Sequence, residues 1–242
     1  MNQNKSNKIW WIISPTYKIA ERKKFSVTDG IRDQKDIDVK KLLAQKLKHF
    51  NNFYFITSII IAILVGLAIP LVECKIGSSM YDQPGFIKWV FVAFACIISW
   101  AFLFSRGIEI TKAFLEDAVQ KFNKEESSSN LKYGERLVLS FKSYIELIVN
   151  FGTLYYLLPA SFFGGEKFSS IIESIYFSGV TITTLGYGDF SPSNPIAQSL
   201  SVFEVLAGFA LIVVSFAVYS SLAINNNEKI SECVNENETK RN

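Results

Sequence analysis

Residues 183–189 read Thr-Thr-Leu-Gly-Tyr-Gly-Asp, and the interpretation of this run decides the fold. Gly186 and Gly188, two residues apart, permit backbone angles that a side chain would forbid, so neighbouring carbonyls can all be turned toward one axis. Such a ladder of carbonyls can replace the water shell of a dehydrated cation, and Thr184 adds a hydroxyl oxygen at one end. A short run rich in glycine and aromatics is more often a plain turn. Context separates the two readings, because the ladder needs a short helix before it and a membrane-spanning helix on each side.

The flanks supply that context. With 49% hydrophobic residues gathered in long blocks and a mean hydropathy of +0.22, the chain is too apolar for an ordinary soluble domain. Residues 53–72 carry no charge, and residues 87–104 carry only Lys88. About 20 helical residues at roughly 1.5 Å each cross a hydrocarbon core of about 30 Å, so both blocks are expected to span. Residues 195–224 form a third span with Glu204 as their only charge. Residues 137–158 form a fourth, in which Lys142 can snorkel to the interface while Glu146 and Asn150 are expected to face protein. Residues 168–180 are apolar but reach only about 20 Å as a helix. They suit a re-entrant segment that stops near mid-membrane, its start capped by Ser169 or Ser170.

Basic residues orient the chain. Residues 1–50 hold twelve Lys or Arg, whereas the loop at 73–86 holds only Lys75, which places the amino terminus inside and that loop outside. Residues 105–142 hold seven more and are expected to return to the cytoplasm. The region around the glycine run then opens outward, and four crossings bring the carboxyl terminus back inside.

Residues 176–192, Tyr-Phe-Ser-Gly-Val-Thr-Ile-Thr-Thr-Leu-Gly-Tyr-Gly-Asp-Phe-Ser-Pro, resemble the filter region of tetrameric potassium channels, in particular bacterial members with few spans. The resemblance covers about 140–224, roughly a third of the chain. It implies an all-α polytopic membrane protein: four transmembrane helices, one re-entrant pore helix and one selectivity filter per chain, joined as a homotetramer around a single pore. Four copies are needed because one strand offers carbonyls on only one side of the ion. By the same resemblance the carbonyls of Thr184, Leu185, Gly186 and Tyr187, with the Thr184 hydroxyl, form the potassium sites. Gly188 completes the filter, Asp189 lies at its outer mouth, and potassium is the permeant ion, with no cofactor. Tyr176 and Phe177 occupy positions where many relatives carry tryptophans that brace the filter. Phe177 has no N–H, so a brace from it to Asp189 is expected to be missing, and Val180 replaces a glutamate found in one branch.

On the last helix, Gly208 admits two readings, a gating hinge or a packing contact. Phe209, Ile212 and Phe216 share a helical face and are candidates to line an inner cavity that gates by dewetting. Glu204 is either a pore-facing charge or a hydrogen-bonded group behind the pore helix, with Thr183 and Ser178 as partners.

The segments divide as a basic amino-terminal region (1–50), two accessory spans (51–104), a cytoplasmic linker (105–136), a pore module (137–224) and a tail (225–242). Neither accessory span repeats Arg or Lys every third residue, which speaks against voltage sensing, and the tail is too short for a folded sensing domain. Trp10 and Trp11 among basic residues suit an interfacial anchor that attracts anionic lipid rather than nucleic acid. No buried acid, base and nucleophile can be assembled into an enzyme. The expected function is passive potassium conduction across a bacterial plasma membrane, with a non-conducting channel subunit and a potassium transporter subunit as alternatives.

Overall fold

The computed structural model describes residues 36–78, 86–123, 131–164 and 167–215, with isolated positions at 217, 220, 221 and 224. The amino-terminal region through residue 35, most of the tail, and Phe216 lie outside the described residues. The described elements are all helical: α1 (Asp36–Ser78), α2 (Phe86–Phe122), α3 (Tyr133–Tyr156), a 3-10 turn (Ala160–Phe163), α4 (Ile171–Ile182) and α5 (Pro195–Phe209). α5 runs on into a π-helical stretch, Ala210–Ser215.

Four helices are long and apolar enough to cross a membrane, through the windows Lys41–Pro70, Ala93–Gln120, Gly134–Tyr156 and Pro195–Ile212. α4, with 12 residues, is not, and it forms the short element before the glycine run. α3 is the central helix: Leu147, Phe151 and Leu154 are fully buried, and Glu146 and Asn150 are shielded from the lipid side as well. α1 by contrast exposes Ile56, Ile60, Ile63 and Leu67, a stripe at helical spacing with only a hydrocarbon medium to bury it.

α3 meets α4 almost without side chains between them. A Cβ on Gly152 would lie 2.6 Å from the Cα of Ile175, so glycine there sets how closely the two backbones approach. α1 touches the start of α4 through a side chain, since a Cβ on Gly66 would lie 2.6 Å from Ile171 Cγ2.

Polar pairs fix the register of α1 and α2 against α3. Along α1 and α3 the contacts advance together, from Lys48 with Glu135 at 2.7 Å to Asn51 with Ser143 at 3.2 Å, so the two helices run parallel. The Lys142 ammonium donates to Asn52 Oδ1 and lies over the Phe55 ring. α2 is joined to α3 by Arg136, whose Nη1 donates to both oxygens of Asp117 at 2.6 and 2.7 Å, and by Arg106, whose Nε donates to Glu146 at 2.7 Å.

Glu146 lies two residues, about 3 Å, along α3 from Ile148, whose carbonyl accepts from the Ser178 hydroxyl on α4. Arg106 therefore stands level with α4 and packed among the helices. A hydropathy window treats each charge as unpaired and so ends the second crossing at 104. Paired with Glu146, Arg106 is only 6% exposed, and α2 continues past it to Phe122.

Candidate functional site

The site begins at the amino end of α4. Ser170 Oγ accepts from the Glu173 amide at 3.3 Å, and the Glu173 carboxylate accepts from the amide and hydroxyl of Ser169 at 2.6 and 2.9 Å. These contacts satisfy amides that a helix start leaves without partners, and they fix where α4 begins. At its other end the Thr183 hydroxyl donates to the Gly179 carbonyl at 2.6 Å. The negative end of the helix dipole, roughly half a charge, lies beside the first residues of the glycine run.

Residues 184–188 alternate in backbone hand. Thr184, Gly186 and Gly188 have φ of 59°, 56° and 83°, while Leu185 and Tyr187 keep negative φ. The amides of Leu185 and Gly186 both point back to the Val180 carbonyl, at 3.0 and 3.5 Å. In a planar trans peptide the C=O lies opposite the N–H, so the carbonyls of Thr184 and Leu185 both point away from α4. A uniform extended strand would send them to opposite sides. The side they face is open, since every residue from 183 to 189 is exposed.

Space does not explain the glycines, because a Cβ on Gly186 or Gly188 would meet nothing within 4 Å. Their positive φ does. Thr184 has no such freedom: a β-branched residue in the left-handed region is strained by about 1–3 kcal/mol and persists only if its surroundings hold it.

The Thr184 amide donates to the Thr181 carbonyl at 2.9 Å, and the helix that precedes it is set in an aromatic cluster. Phe177 is 5% exposed, with ring centroids of Tyr155, Phe163 and Phe168 at 5.0, 5.6 and 5.7 Å. Phe190, just beyond Asp189, packs on Phe168 at 4.5 Å and ties the exit of the run to the same cluster. The following loop is clamped by the Phe162 carbonyl, which accepts from the Ser193 and Asn194 amides at 2.8 and 3.3 Å. Asn194 Oδ1 then caps α5, accepting from the Ile196 amide at 2.9 Å. Phe177 takes part in the ring cluster and, lacking an N–H, offers Asp189 no hydrogen bond. Val180 is buried, and its carbonyl, not its side chain, organises the run.

Glu204 is fully buried behind α4, turned away from the open side. The Tyr155 hydroxyl donates to its Oε2 at 2.7 Å, and the Ser178 hydroxyl contacts its Oε1. Ser178 Oγ also lies 2.9 Å from the Ile148 carbonyl, so one knot joins α3, α4 and α5. Thr183, the other partner the sequence suggested, is committed to α4 instead.

Gly208 is a packing contact in this structure. A Cβ there would lie 2.5 Å from Ile182 Cγ1 and 3.3 Å from the Ile182 carbonyl oxygen. The helix changes character just beyond it, widening to π geometry at Ala210, where Ser140 Oγ donates to the Leu211 carbonyl at 3.0 Å. Phe209 and Ile212 are exposed on the protomer.

Sequence reasoning missed Tyr155, Phe163, Phe168 and Phe190. The available signal was the density of aromatics on both sides of the glycine run, but the partnership of Tyr155 with Phe177 and Glu204 is long-range and no local pattern encodes it.

Comparison with known proteins agrees with this geometry over the same part of the chain. Residues 143–225 match the family model described as Ion channel. The putative potassium channel protein YugO of Bacillus subtilis is 31% identical over 86 residues, covering 36% of this chain and 25% of that protein. Two-pore potassium channel 1 of Arabidopsis thaliana is 33% identical over 84 residues, 35% of this chain and 22% of the relative. The probable potassium channel protein 2 of Methanocaldococcus jannaschii is 34% identical over 61 residues, 23% of this chain and 18% of the relative. The chain thus spans about a quarter or less of the length of these relatives. No solved structure matches. The matches support a potassium channel family, and they rest on the last third of the chain.

Proposed function

We propose that four copies of this chain surround one pore and conduct potassium passively, through a filter built from the carbonyls of Thr184, Leu185, Gly186 and Tyr187 and the Thr184 hydroxyl. Gly188 completes the filter and Asp189 marks its outer mouth. The observation that carries this reading is the alternation of backbone hand from Thr184 to Gly188, with carbonyls turned from α4 toward an open side. Oxygens arranged in that way, repeated by fourfold symmetry, replace an ion's hydration shell.

Two further features support assembly. α5 exposes Val202, Leu206 and Phe209 beside a shallow groove lined by Gln198, Val202 and Phe203, an apolar flank suited to neighbouring copies. Four α4 helices would bring four negative dipole ends together where a cation enters the filter. Below it, Phe209, Ile212 and Phe216 would line the cavity as an apolar constriction. The membrane is read as a bacterial plasma membrane with both termini inside, and the basic amino-terminal region as a contact for anionic lipid.

The test is cation flux in liposomes containing the purified chain. Potassium should pass at least about a hundredfold faster than sodium, as a carbonyl filter requires. A reversal potential unmoved by exchanging the two ions would remove the selectivity claim, and silence in both ions would favour a non-conducting subunit.

A further inference from the structure

The ion-channel match begins at residue 143 and so contains Glu146, but the counter-ion of Glu146 lies outside it. Glu146 is fully buried on α3, and Arg106 on α2 donates to it from Nε at 2.7 Å and from Nη2 at 3.4 Å. Arg106 is itself held on every side. Its Nη1 is 3.0 Å from Glu109 Oε1, its Nη2 is 3.4 Å from Asn51 Oδ1 on α1, and its Cζ lies 4.3 Å from the Tyr54 ring centroid. The pore-bearing part of the chain thus carries a buried carboxylate that it does not neutralise alone.

Other faces of the same short stretch of α3 support the filter. Two residues beyond Glu146, the Ile148 carbonyl accepts from Ser178 at 2.9 Å. One turn further, Gly152 sets the spacing to the Ile175 backbone, where there is no slack. α4 in turn presents the Val180 carbonyl that orients the Leu185 and Gly186 amides. We propose that Arg106 is a positioning residue for the filter, acting through Glu146 to hold α3, and through α3 the pore helix, in register. The accessory helices supply the charge that lets the pore helix stand where the filter needs it. A carboxylate left unpaired in that interior would take up a proton or draw α3 toward water, and either response disturbs the Ile148 and Gly152 contacts.

This inference rests on the filter reading above, and its test reads filter geometry without requiring conduction. The full-length protein is purified in detergent, and its Tm is compared in potassium and in sodium. Ions that occupy a formed filter stabilise the protein in proportion to their affinity, so the wild type should show a potassium-specific rise. Arg106→Gln should lose most of that rise even where its Tm in sodium stays close to wild type, a pattern that general destabilisation would not produce. Arg106→Gln combined with Glu109→Gln and Glu146→Gln leaves neither carboxylate unpaired and should regain it. If Arg106→Gln yields too little folded protein, the triple variant decides alone: a regained potassium-specific rise supports the proposal, and its absence overturns it. A wild type without the rise removes the filter assignment and this proposal together. A wild-type rise retained in full by Arg106→Gln overturns this proposal alone.

Discussion

The pore-bearing part of the chain and the accessory helices are held in place by different means. α3, α4 and α5 meet through close backbone approach at Gly152 and Gly208 and through the ring cluster around Phe177, contacts in which shape leaves no freedom. α1 and α2 present long apolar stripes outward, and to apolar contacts such as Phe104 with Phe203 they add a set of polar pairs: Lys48 with Glu135, Lys142 with Asn52, Arg106 with Glu146 and Arg136 with Asp117. In lipid, apolar surface alone gives no reason for two helices to associate, because the tails are equally apolar. Close packing and internal hydrogen bonds remain; this chain uses both, with backbone-to-backbone approach between α3 and α4 and ion pairs between the accessory helices and α3.

The sharpest way to break that contrast is Gly152→Ala. The added methyl would sit 2.6 Å from Ile175 Cα and 3.0 Å from its amide nitrogen, and a backbone atom cannot rotate away as a side-chain tip can. Overpacking of this kind costs about 1–3 kcal/mol in a core that can shift, and more where it cannot. We expect loss of the assembled form, measured by size-exclusion chromatography in detergent. An assembled Gly152→Ala variant with wild-type Tm would show that α3 and α4 have slack, and the distinction between the two regions would fail.

Next in size is Gly186→Ala. Here nothing lies within 4 Å of the new methyl, so the penalty is confined to the positive φ of 56°, about 1–2 kcal/mol for an L-residue. Assembly should persist while potassium flux falls at least about a hundredfold, because a relaxed backbone turns a carbonyl out of line. Flux at the wild-type level in assembled protein would remove residues 184–188 as the filter.

Legibility in the sequence follows the same division. The glycine run could be read because its backbone requirement is written in adjacent residues, and Ser170 marks the start of α4 because a cap is local chemistry. Phe177 shows the limit: the sequence identifies a bracing position, but the rings that pack on it, Tyr155, Phe163 and Phe190, come from other segments. Glu204 was readable as a buried group bonded to Ser178, while Tyr155, 49 residues away, was not. The surroundings of Arg106 on α2 show a related limit. Glu109, three residues on, is a partner that local spacing allows, whereas Glu146 is 40 residues distant. The readings of Gly208 diverged because packing and hinging both favour a small residue, and only the 2.5 Å approach of Ile182 separates them.

The smallest expected effect sharpens the comparison from the accessory side. Lys48 and Glu135 form an ion pair between α1 and the first turn of α3, at 2.7 Å, but their side chains remain 42% and 38% exposed. Water and salt screen such a pair, and two long side chains lose entropy in holding one geometry. Glu135 also accepts from the Lys132 amide at 3.1 Å, a contact within its own helix start that Gln could keep by its carbonyl oxygen. Glu135→Gln should therefore leave assembly and potassium flux unchanged, and any fall in Tm seen at low salt should vanish at high salt. Arg106→Gln should behave in the opposite way, because its pair is buried and salt does not reach it. Equal salt sensitivity in the two variants would mean that depth does not distinguish the polar contacts holding α1 and α2, and that Arg106 is one attachment point among several.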